Sequence, residues 1–136
     1  MEINKIFISH AYHYTVNYYT IEKWLNAEMN SGSGFNWLNC SVTRYDNDNM
    51  TNKNYKQKLK EQIHSSSIFI VISDIYTENK YWMDYEINTA KHNNKYIIGL
   101  KPWRSMYVTP KKISKNANML INLNSNELIN TINLYK

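Results

Sequence analysis

The sequence predicts an α/β fold in which an open parallel sheet of about five strands is covered by helices on both faces. Two segments favour this fold most strongly. "SIFIVIS" (67–73) and "KYIIGL" (95–100) are apolar on both faces, as central parallel strands are. Amphipathic segments with helical period lie between the strand candidates along the chain. Strands that alternate with helices require right-handed crossovers, and these produce a parallel sheet.

The first elements follow this alternation. Residues 3–9, "INKIFIS", have a continuous apolar centre and are predicted to form the first strand. Residues 18–29 are predicted to form a helix, because apolar and aromatic side chains recur there at helical spacing. A loop, "NSGSGFN", separates this helix from residues 37–42, "WLNCSV", which are predicted to form the second strand.

The middle of the chain repeats the pattern. After the polar loop "TRYDNDNMTN", residues 53–64 are predicted to form a helix that buries one face and exposes "KQKLK". Either Thr51 or Asn52 can cap this helix, since both residue types accept a hydrogen bond from the first turn. The central strand 67–73 follows directly.

The last elements complete the predicted sheet. A helix containing "YWMDYE" comes next, followed by the strand at 95–100 and a longer loop at 101–112. Residues 118–123, "NMLINL", are predicted to form a short fifth strand, and residues 125–135 a closing helix capped by Ser125. The whole pattern is typical of a flavodoxin-like sheet, in which ligands bind beyond the carboxyl ends of the strands.

Composition limits the class of protein. The chain has 136 residues, of which 43% are apolar and 20% charged, so residues 1–136 are expected to form one folded, soluble domain. No apolar run approaches the length of a membrane span, and the first residues lack a secretory signal pattern. The single cysteine, Cys40, cannot form an internal disulfide, so a cytoplasmic location is expected.

The net charge of +5 suits an anionic partner, either nucleic acid or a small ligand such as a dinucleotide. The lysine-rich segments "KNYKQKLK" and "TPKKISK" lie on the predicted outer face of a helix and in a loop. A solvated surface explains them better than a groove-reading element does, so nucleic acid is not the expected partner. In "KPWRS", Trp103 stands between Lys101 and Arg104 at a strand end, where it could line the cleft or simply cover the sheet.

Trp82 and Glu86 are the strongest candidates for chemistry. They are four residues apart on one predicted helix, so their side chains lie on the same side of it. Met83, Ile87 and Ala90 are expected to face the sheet, which leaves the Glu86 carboxylate partly exposed towards the cleft. An indole offers a flat surface to a nicotinamide or adenine ring, and a carboxylate stabilises positive charge on a ribose as a glycosidic bond breaks. A packing tryptophan and a solvated glutamate remain the alternative interpretation.

Several other polar residues are placed at the cleft by topology alone, as candidates for binding substrate. They lie at or after the carboxyl ends of predicted strands and are Ser9, His10, Arg44, Asp46 and Ser73. His10 and His13, three residues apart, have no third ligand in view and are weak candidates for a metal site. The zincin, zinc-ribbon, dinucleotide-fingerprint and P-loop motifs do not occur, and neither a metal nor a cofactor is expected.

Four quoted segments carry a resemblance to a known family. "KIFISHAY", "SIFIVIS", "YWMDYE" and "KYIIGLKPW" resemble the TIR-like domains of bacterial antiphage defence, of the Thoeris ThsB type. The resemblance covers nearly the whole chain. Its most specific part is the Trp82-x-x-x-Glu86 pair, which is similar to the W-C-x-x-E helix of TIR domains that cleave NAD. Met83 stands where many TIR domains have cysteine, and the loop "SVTRYDNDN" lacks their usual Gly-Pro ending.

The resemblance implies a TIR version of the flavodoxin-like fold and a reaction on NAD, with Glu86 as the catalytic residue. NAD would be a substrate rather than a cofactor, and its ADP-ribosyl group would become a signal nucleotide, such as a cyclic ADP-ribose isomer or a conjugate. That signal would activate a separate effector. A homo-oligomer and a phage-derived trigger are further partners that the family suggests. Two other interpretations stay open: a TIR-like adaptor without catalysis, and a nucleoside-processing enzyme of similar topology, such as a deoxyribosyltransferase.

Overall fold

A single parallel sheet organises the molecule, for which a computed structural model describes residues 2–9, 15–42, 51–104 and 106–135. The five strands stand in the order β2-β1-β3-β4-β5, and every neighbouring pair is parallel. They are β1 (Asn4–Ser9), β2 (Trp37–Asn39), β3 (Ile68–Ile72), β4 (Tyr96–Leu100) and β5 (Met119–Ile121). The predicted α/β fold is confirmed, including the parallel pairing of the two central apolar strands.

Helices cover both faces of the sheet. They are α1 (Val16–Asn30), α2 (Asn52–Ser65), α3 (Lys80–His92), α4 (Lys111–Asn116) and α5 (Ser125–Leu134). One hydrophobic cluster joins α1 and α5 to the sheet, and a second joins α2, α3 and α4 to the opposite face. None of the helices in the described ranges is long and apolar enough to cross a membrane.

Alternation along the strands assigns each side chain to one of these two layers. In β1, Ile6 and Ile8 belong to the α1–α5 layer, whereas Phe7 belongs to the α2–α3–α4 layer. In β3, Phe69 and Val71 lie in the same layer as Phe7, and the Phe7 and Phe69 rings stack with their centroids 5.6 Å apart. Ser9 is two residues beyond Phe7, so its hydroxyl enters the α2–α3–α4 layer at the carboxyl end of β1.

The second strand is shorter than predicted and ends at Asn39. Beyond this residue one more backbone bond joins β1, in which the Cys40 N–H donates to the Ile6 carbonyl at 2.8 Å. A side chain then replaces the backbone, because the Ile8 N–H donates to the Ser41 hydroxyl at 2.8 Å. The Ser41 N–H in turn donates to the Asn39 side chain at 2.9 Å. Side-chain bonds of this kind compete with the regular ladder and stop the strand.

The helix caps agree with the prediction at one site and differ at another. Thr51 caps α2, since its hydroxyl accepts the Asn54 N–H at 3.1 Å. Ser125 does not cap α5; the side chain of Asn124 accepts the Glu127 N–H at 3.0 Å instead. Asparagine and serine are both good caps, so adjacent candidates cannot be separated by residue type alone.

The short helix α4 was not predicted and packs closely on β4. Gly99 makes this approach possible, because a Cβ atom at this position would lie 2.9 Å from Ile113 Cγ2 and 2.9 Å from Leu120 Cδ1. Ala117 would be 3.2 Å away. The missing side chain of Gly99 thus lets α4 lie against the sheet, and this contact fixes the far end of the loop that follows β4.

We expect Gly99→Ala to destabilise the protein by about 1–3 kcal/mol, because the added methyl group overpacks a closed layer. Urea unfolding followed by circular dichroism measures this change. Combined with Ile113→Ala, which removes one of the clashing groups, Gly99→Ala should cost less than it does alone. Simple additivity of the two substitutions would contradict the close packing of α4.

Candidate functional site

The Glu86 carboxyl is buried between α3 and the end of β1. Only 2% of Glu86 is exposed, and Ser9 is fully buried. The Ser9 hydroxyl donates a hydrogen bond to Glu86 Oε1 at 2.6 Å. The expected partial exposure of this carboxylate is therefore wrong, although its helix and the sheet-facing positions of Met83, Ile87 and Ala90 are as predicted.

Burial changes the acidity of Glu86. Loss of hydration raises the pKa of its carboxyl from 4.5 to about 8, and the hydrogen bond from Ser9 opposes this rise. At neutral pH the acid form therefore predominates. Carboxyl groups whose pKa is shifted this far by burial are concentrated at functional sites.

Ser73 adds a second buried hydroxyl at the same edge of the sheet. Its side chain is 5% exposed, and its Oγ has no hydrogen-bond partner among the described residues. Ser9 pairs with Val71 across the β1–β3 ladder, and Ser73 comes two residues after Val71. Alternation directs Ser73 to the layer that contains Glu86. A buried hydroxyl without a partner is costly to fold, which makes it a good candidate for binding a ligand or water.

Two consecutive 3-10 turns, Ser73–Ile75 and Thr77–Asn79, connect β3 to α3. The Tyr76 hydroxyl donates to the Asp84 carboxylate and ties this connection to α3. On the other side, both carboxylate oxygens of Asp74 accept the Trp103 N–H, at 3.0 and 3.3 Å. The connection therefore links α3, β3 and the loop after β4 at one point. Asp74 and Tyr76 were not singled out by the sequence, because nothing local distinguishes them from other loop residues.

Trp82 lies one turn before Glu86 but packs towards α2. Its ring is 4.8 Å from the Tyr55 ring and 5.1 Å from the Tyr81 ring, and both contacts are edge-to-face. It is partly buried against the α2–α3–α4 cluster. The described contacts of this indole are thus those of a packing residue. The structure brings Ser9 and Glu86 together and places Ser73 directly after the adjacent strand, whereas His10, Arg44 and Asp46 lie outside the described residues.

A cavity of about 560 Å³ opens on the α1–α5 side of the sheet, at the carboxyl ends of β3 and β4. Its walls come from the first turns of α1, from Asp74 and from the loop after β4. Among the residues that line it are Val16, Asp74, Trp103, Arg104, Tyr107 and Leu123. In the part of the chain that the structure describes, no group of three or more His, Cys, Asp or Glu side chains could hold a metal ion.

A comparison of the sequence with protein-family profiles identifies the family of this domain. The profile of the family described as Thoeris protein ThsB, TIR-like domain, matches residues 7–107, which include Ser9, Ser73 and Glu86. The chain belongs to this family. The match runs from β1 through the loop after β4, so the whole Ser9–Glu86 edge of the sheet is part of the ThsB TIR-like domain. A comparison with curated protein sequences finds no match.

Solved structures add a likeness in fold to this ThsB-like domain. The CMP N-glycosidase BcmB of Clostridium botulinum superposes with a TM-score of 0.59 over 98% of this chain and 100% of its own. The two sequences are 15% identical, so the likeness concerns the arrangement of strands and helices.

The pKa of Glu86 makes the stability of the domain depend on pH. Between 4.5 and about 8 the folded state keeps a proton that the unfolded state has released, so stability falls as pH rises through this range. Glu86→Gln lacks the titration. We therefore expect the variant to be nearly as stable as the parent at pH 5 and more stable at pH 8.5, by an amount on the order of a few kcal/mol.

Thermal melts of both proteins across this pH range measure the difference. Glu61→Gln is the matched control for the substitution itself, because Glu61 is an exposed carboxylate on α2. A pH-independent difference between the parent and Glu86→Gln would show that Glu86 is not desolvated in the folded protein.

Proposed function

We propose that this ThsB-like TIR domain cleaves NAD at the bond between nicotinamide and ribose, and that Glu86 is its catalytic residue. The observation that carries the proposal is the buried Glu86 carboxyl, held by Ser9 at the carboxyl end of β1. In a parallel α/β sheet of this order, ligands bind beyond the ends of neighbouring strands whose following helices cover opposite faces, and here these strands are β1 and β3. Ser9 and Ser73 stand at the ends of those two strands.

The reaction requires little besides a well-placed negative charge. As the bond from ribose C1′ to the nicotinamide nitrogen breaks, its electron pair passes to nicotinamide, which leaves as a neutral molecule. Positive charge then develops on C1′ and the ring oxygen of the ribose. No general acid is needed for the leaving group, so one carboxyl suffices where ordinary glycosidases use two. The ADP-ribosyl cation is captured by water, by one of its own groups or by a small acceptor.

The charge state of Glu86 fits this chemistry when substrate is bound. A cationic nicotinamide beside the carboxyl favours the carboxylate and lowers its pKa from the value in the free protein. The carboxylate is then poorly hydrated, because Glu86 is buried, and its attraction for the developing ribosyl cation is correspondingly strong. Burial thus makes ionisation of Glu86 unfavourable in the free protein, and it strengthens the stabilisation of a ribosyl cation when substrate is bound.

The remaining site residues are assigned supporting roles. Ser9 holds the Glu86 carboxyl in place, and the unpartnered Ser73 hydroxyl is available to a ribose hydroxyl. Trp82, whose ring packs against Tyr55, is proposed to contact the nicotinamide or adenine ring of NAD at the edge of the cleft. His10, Arg44 and Asp46 belong to segments that directly follow β1 and β2, and we propose that they complete the binding of NAD. No cofactor is assigned, and NAD is the substrate.

The product would act as a signal. A member of the Thoeris ThsB family is expected to work with a separate effector, and an ADP-ribose-derived nucleotide could reach that effector by diffusion. Assembly of several copies and a trigger from the phage are further elements of this proposal. They explain how such an enzyme could remain idle in an uninfected cell.

A second candidate is a nucleotide N-glycosidase that acts on a mononucleotide. It is favoured by the likeness in fold to the CMP N-glycosidase BcmB. Both reactions break a bond between ribose C1′ and a ring nitrogen. They differ in the leaving group. The cytosine base of CMP is uncharged, so it would leave as an anion and its departure benefits from protonation. The nicotinamide ring of NAD is cationic, so it leaves as a neutral molecule without a proton. Incubation with NAD and with CMP, followed by chromatography of the released base, distinguishes the two. Release from neither, at high protein concentration, would favour a non-catalytic adaptor.

We expect Glu86→Gln to lower the rate of nicotinamide release on the order of a hundredfold or more, because it removes the charge that stabilises the ribosyl cation. Chromatographic measurement of kcat at pH 7, where the substitution should not weaken folding, tests this. Glu61→Gln should retain the parent's rate. Equal rates for Glu86→Gln and the parent would remove the chemical basis of the assignment.

The pH profile of kcat/KM should report ionisation of Glu86 in the free enzyme. We expect it to rise with pH and level off above about 8, because the carboxylate is the active form and its pKa is about 8. Ser9→Ala removes the hydrogen bond that opposes the rise in pKa, so its profile should move to higher pH. An unchanged midpoint in Ser9→Ala, with folding intact, would exclude Ser9 as the positioning residue of Glu86.

A further inference from the structure

Exposed apolar side chains gather around the cavity of about 560 Å³ at the ends of β3 and β4. Trp103 is 72% exposed, and Val16 and Tyr107 are also exposed. Single exposed apolar residues are ordinary on a protein surface, but several that converge on one concave site indicate a binding site. The volume lies within the range of about 300–1,000 Å³ that is typical of small-molecule sites.

The aromatic wall of this cavity is held in place by the backbone. Both oxygens of Asp74 accept the N–H of Trp103, so the start of the loop is anchored to the end of β3. At the far end of the loop, α4 is packed against Gly99. Because the backbone of Trp103 is anchored, less of the loop has to be ordered when a ligand binds.

Cations stand on both sides of this wall. Arg104 lines the cavity itself. A neighbouring cavity of about 380 Å³ shares Trp103, Tyr107 and Leu123 and is bordered by Lys101. A flat apolar ring surface flanked by an arginine and a lysine matches a planar base joined to phosphate groups: the base stacks, and the guanidinium binds the phosphate oxygens.

The cavity and the Glu86 site involve residues that are adjacent in the sequence. Asp74 lines the cavity, and Ser73, the preceding residue, is directed to the layer of Ser9 and Glu86. A carboxylate at this boundary suits a ribose, since it accepts hydrogen bonds from free hydroxyl groups.

We propose that this cavity binds a nucleoside diphosphate, the half of NAD that remains after nicotinamide and its ribose are excluded. The base stacks on Trp103, and the phosphates bind Arg104 and Lys101. The substrate assignment rests on the proposed function, but binding of the diphosphate does not require that the enzyme cleave anything. The other occupant considered is a second copy of the chain, docked on the same apolar wall.

ADP is the probe, and isothermal titration calorimetry of the full chain is the measurement. We expect ADP to bind the parent protein, and Trp103→Ala to weaken binding by about tenfold or more, as is typical when a base loses its aromatic partner. Trp103→Phe should lose less. Arg104→Ala should weaken ADP but hardly affect adenosine, and the ADP affinity of the parent should fall with added salt.

Matched controls lie far from the cavity. Leu134→Ala removes an exposed apolar group at the end of α5, and Lys60→Ala removes an exposed cation on α2. Both should bind ADP as the parent does. Because Trp103 is largely exposed, its replacement should leave the thermal midpoint nearly unchanged, and Arg104→Ala gives an independent test if it does not.

The outcomes separate this inference from the proposed function. ADP affinity that is absent in the parent, or equal in the parent and Trp103→Ala, overturns the inference even if nicotinamide is released. A change in sedimentation of Trp103→Ala without a change in ADP affinity overturns it in favour of contact between chains. Normal ADP binding that depends on Trp103, with no release of nicotinamide, supports the site and refutes the reaction. If both hold, Trp103→Ala should raise KM for NAD, whereas Glu86→Gln should lower kcat.

Discussion

The hydrogen bond from Ser9 to Glu86 joins the end of β1 to the middle of α3 inside a closed layer of the protein. An ionised carboxyl in this layer has lost most of its hydration, and one hydroxyl cannot replace it. In the folded protein the ionised form of Glu86 is therefore unfavourable, and either protonation or a nearby cation removes this cost. The burial of this carboxyl depends on the position of α3, on the order of the strands and on the polar residues at their ends.

The location of the carboxyl depends on the apolar contacts of α3. Met83, Ile87 and Ala90 are fully buried in the layer shared with α2 and α4. They hold the helix against β1 and β3, so Glu86 cannot turn outwards without loss of packing. The Tyr76–Asp84 hydrogen bond limits movement of the helix along its axis. A polar group that is costly to bury is thus kept buried by its apolar neighbours.

The sequence is most informative where apolar residues recur at helical spacing, or form a continuous run, over several residues. The apolar centres of β1, β3 and β4 and the buried faces of α1, α2 and α3 follow directly from it, and so does the presence of Glu86 on α3. Its burial does not, because the helical period says which face a residue occupies and not how completely neighbouring elements cover it.

Other features depended on contacts between distant segments. Helix α4 has six residues and one fully buried apolar side chain, Ile113, which is too short for a readable period. The role of Gly99 depends on Ile113 and Leu120, and that of Asp74 on the backbone of Trp103. The unpartnered hydroxyl of Ser73 is visible only once its surroundings are known. Each of these arises from pairs of residues that no local pattern connects.

The adjacency of Ser73 and Asp74 has a consequence for the length of the dinucleotide that could bind. The two residues are joined by one peptide bond, so the spacing between the proposed NAD-cleavage site and the proposed diphosphate site would be fixed by the backbone. A rigid spacing of this kind selects molecules in which the two ends are separated by a matching bridge. Dinucleotides with a longer or shorter bridge would engage one end at a time, and the two binding contributions would not add.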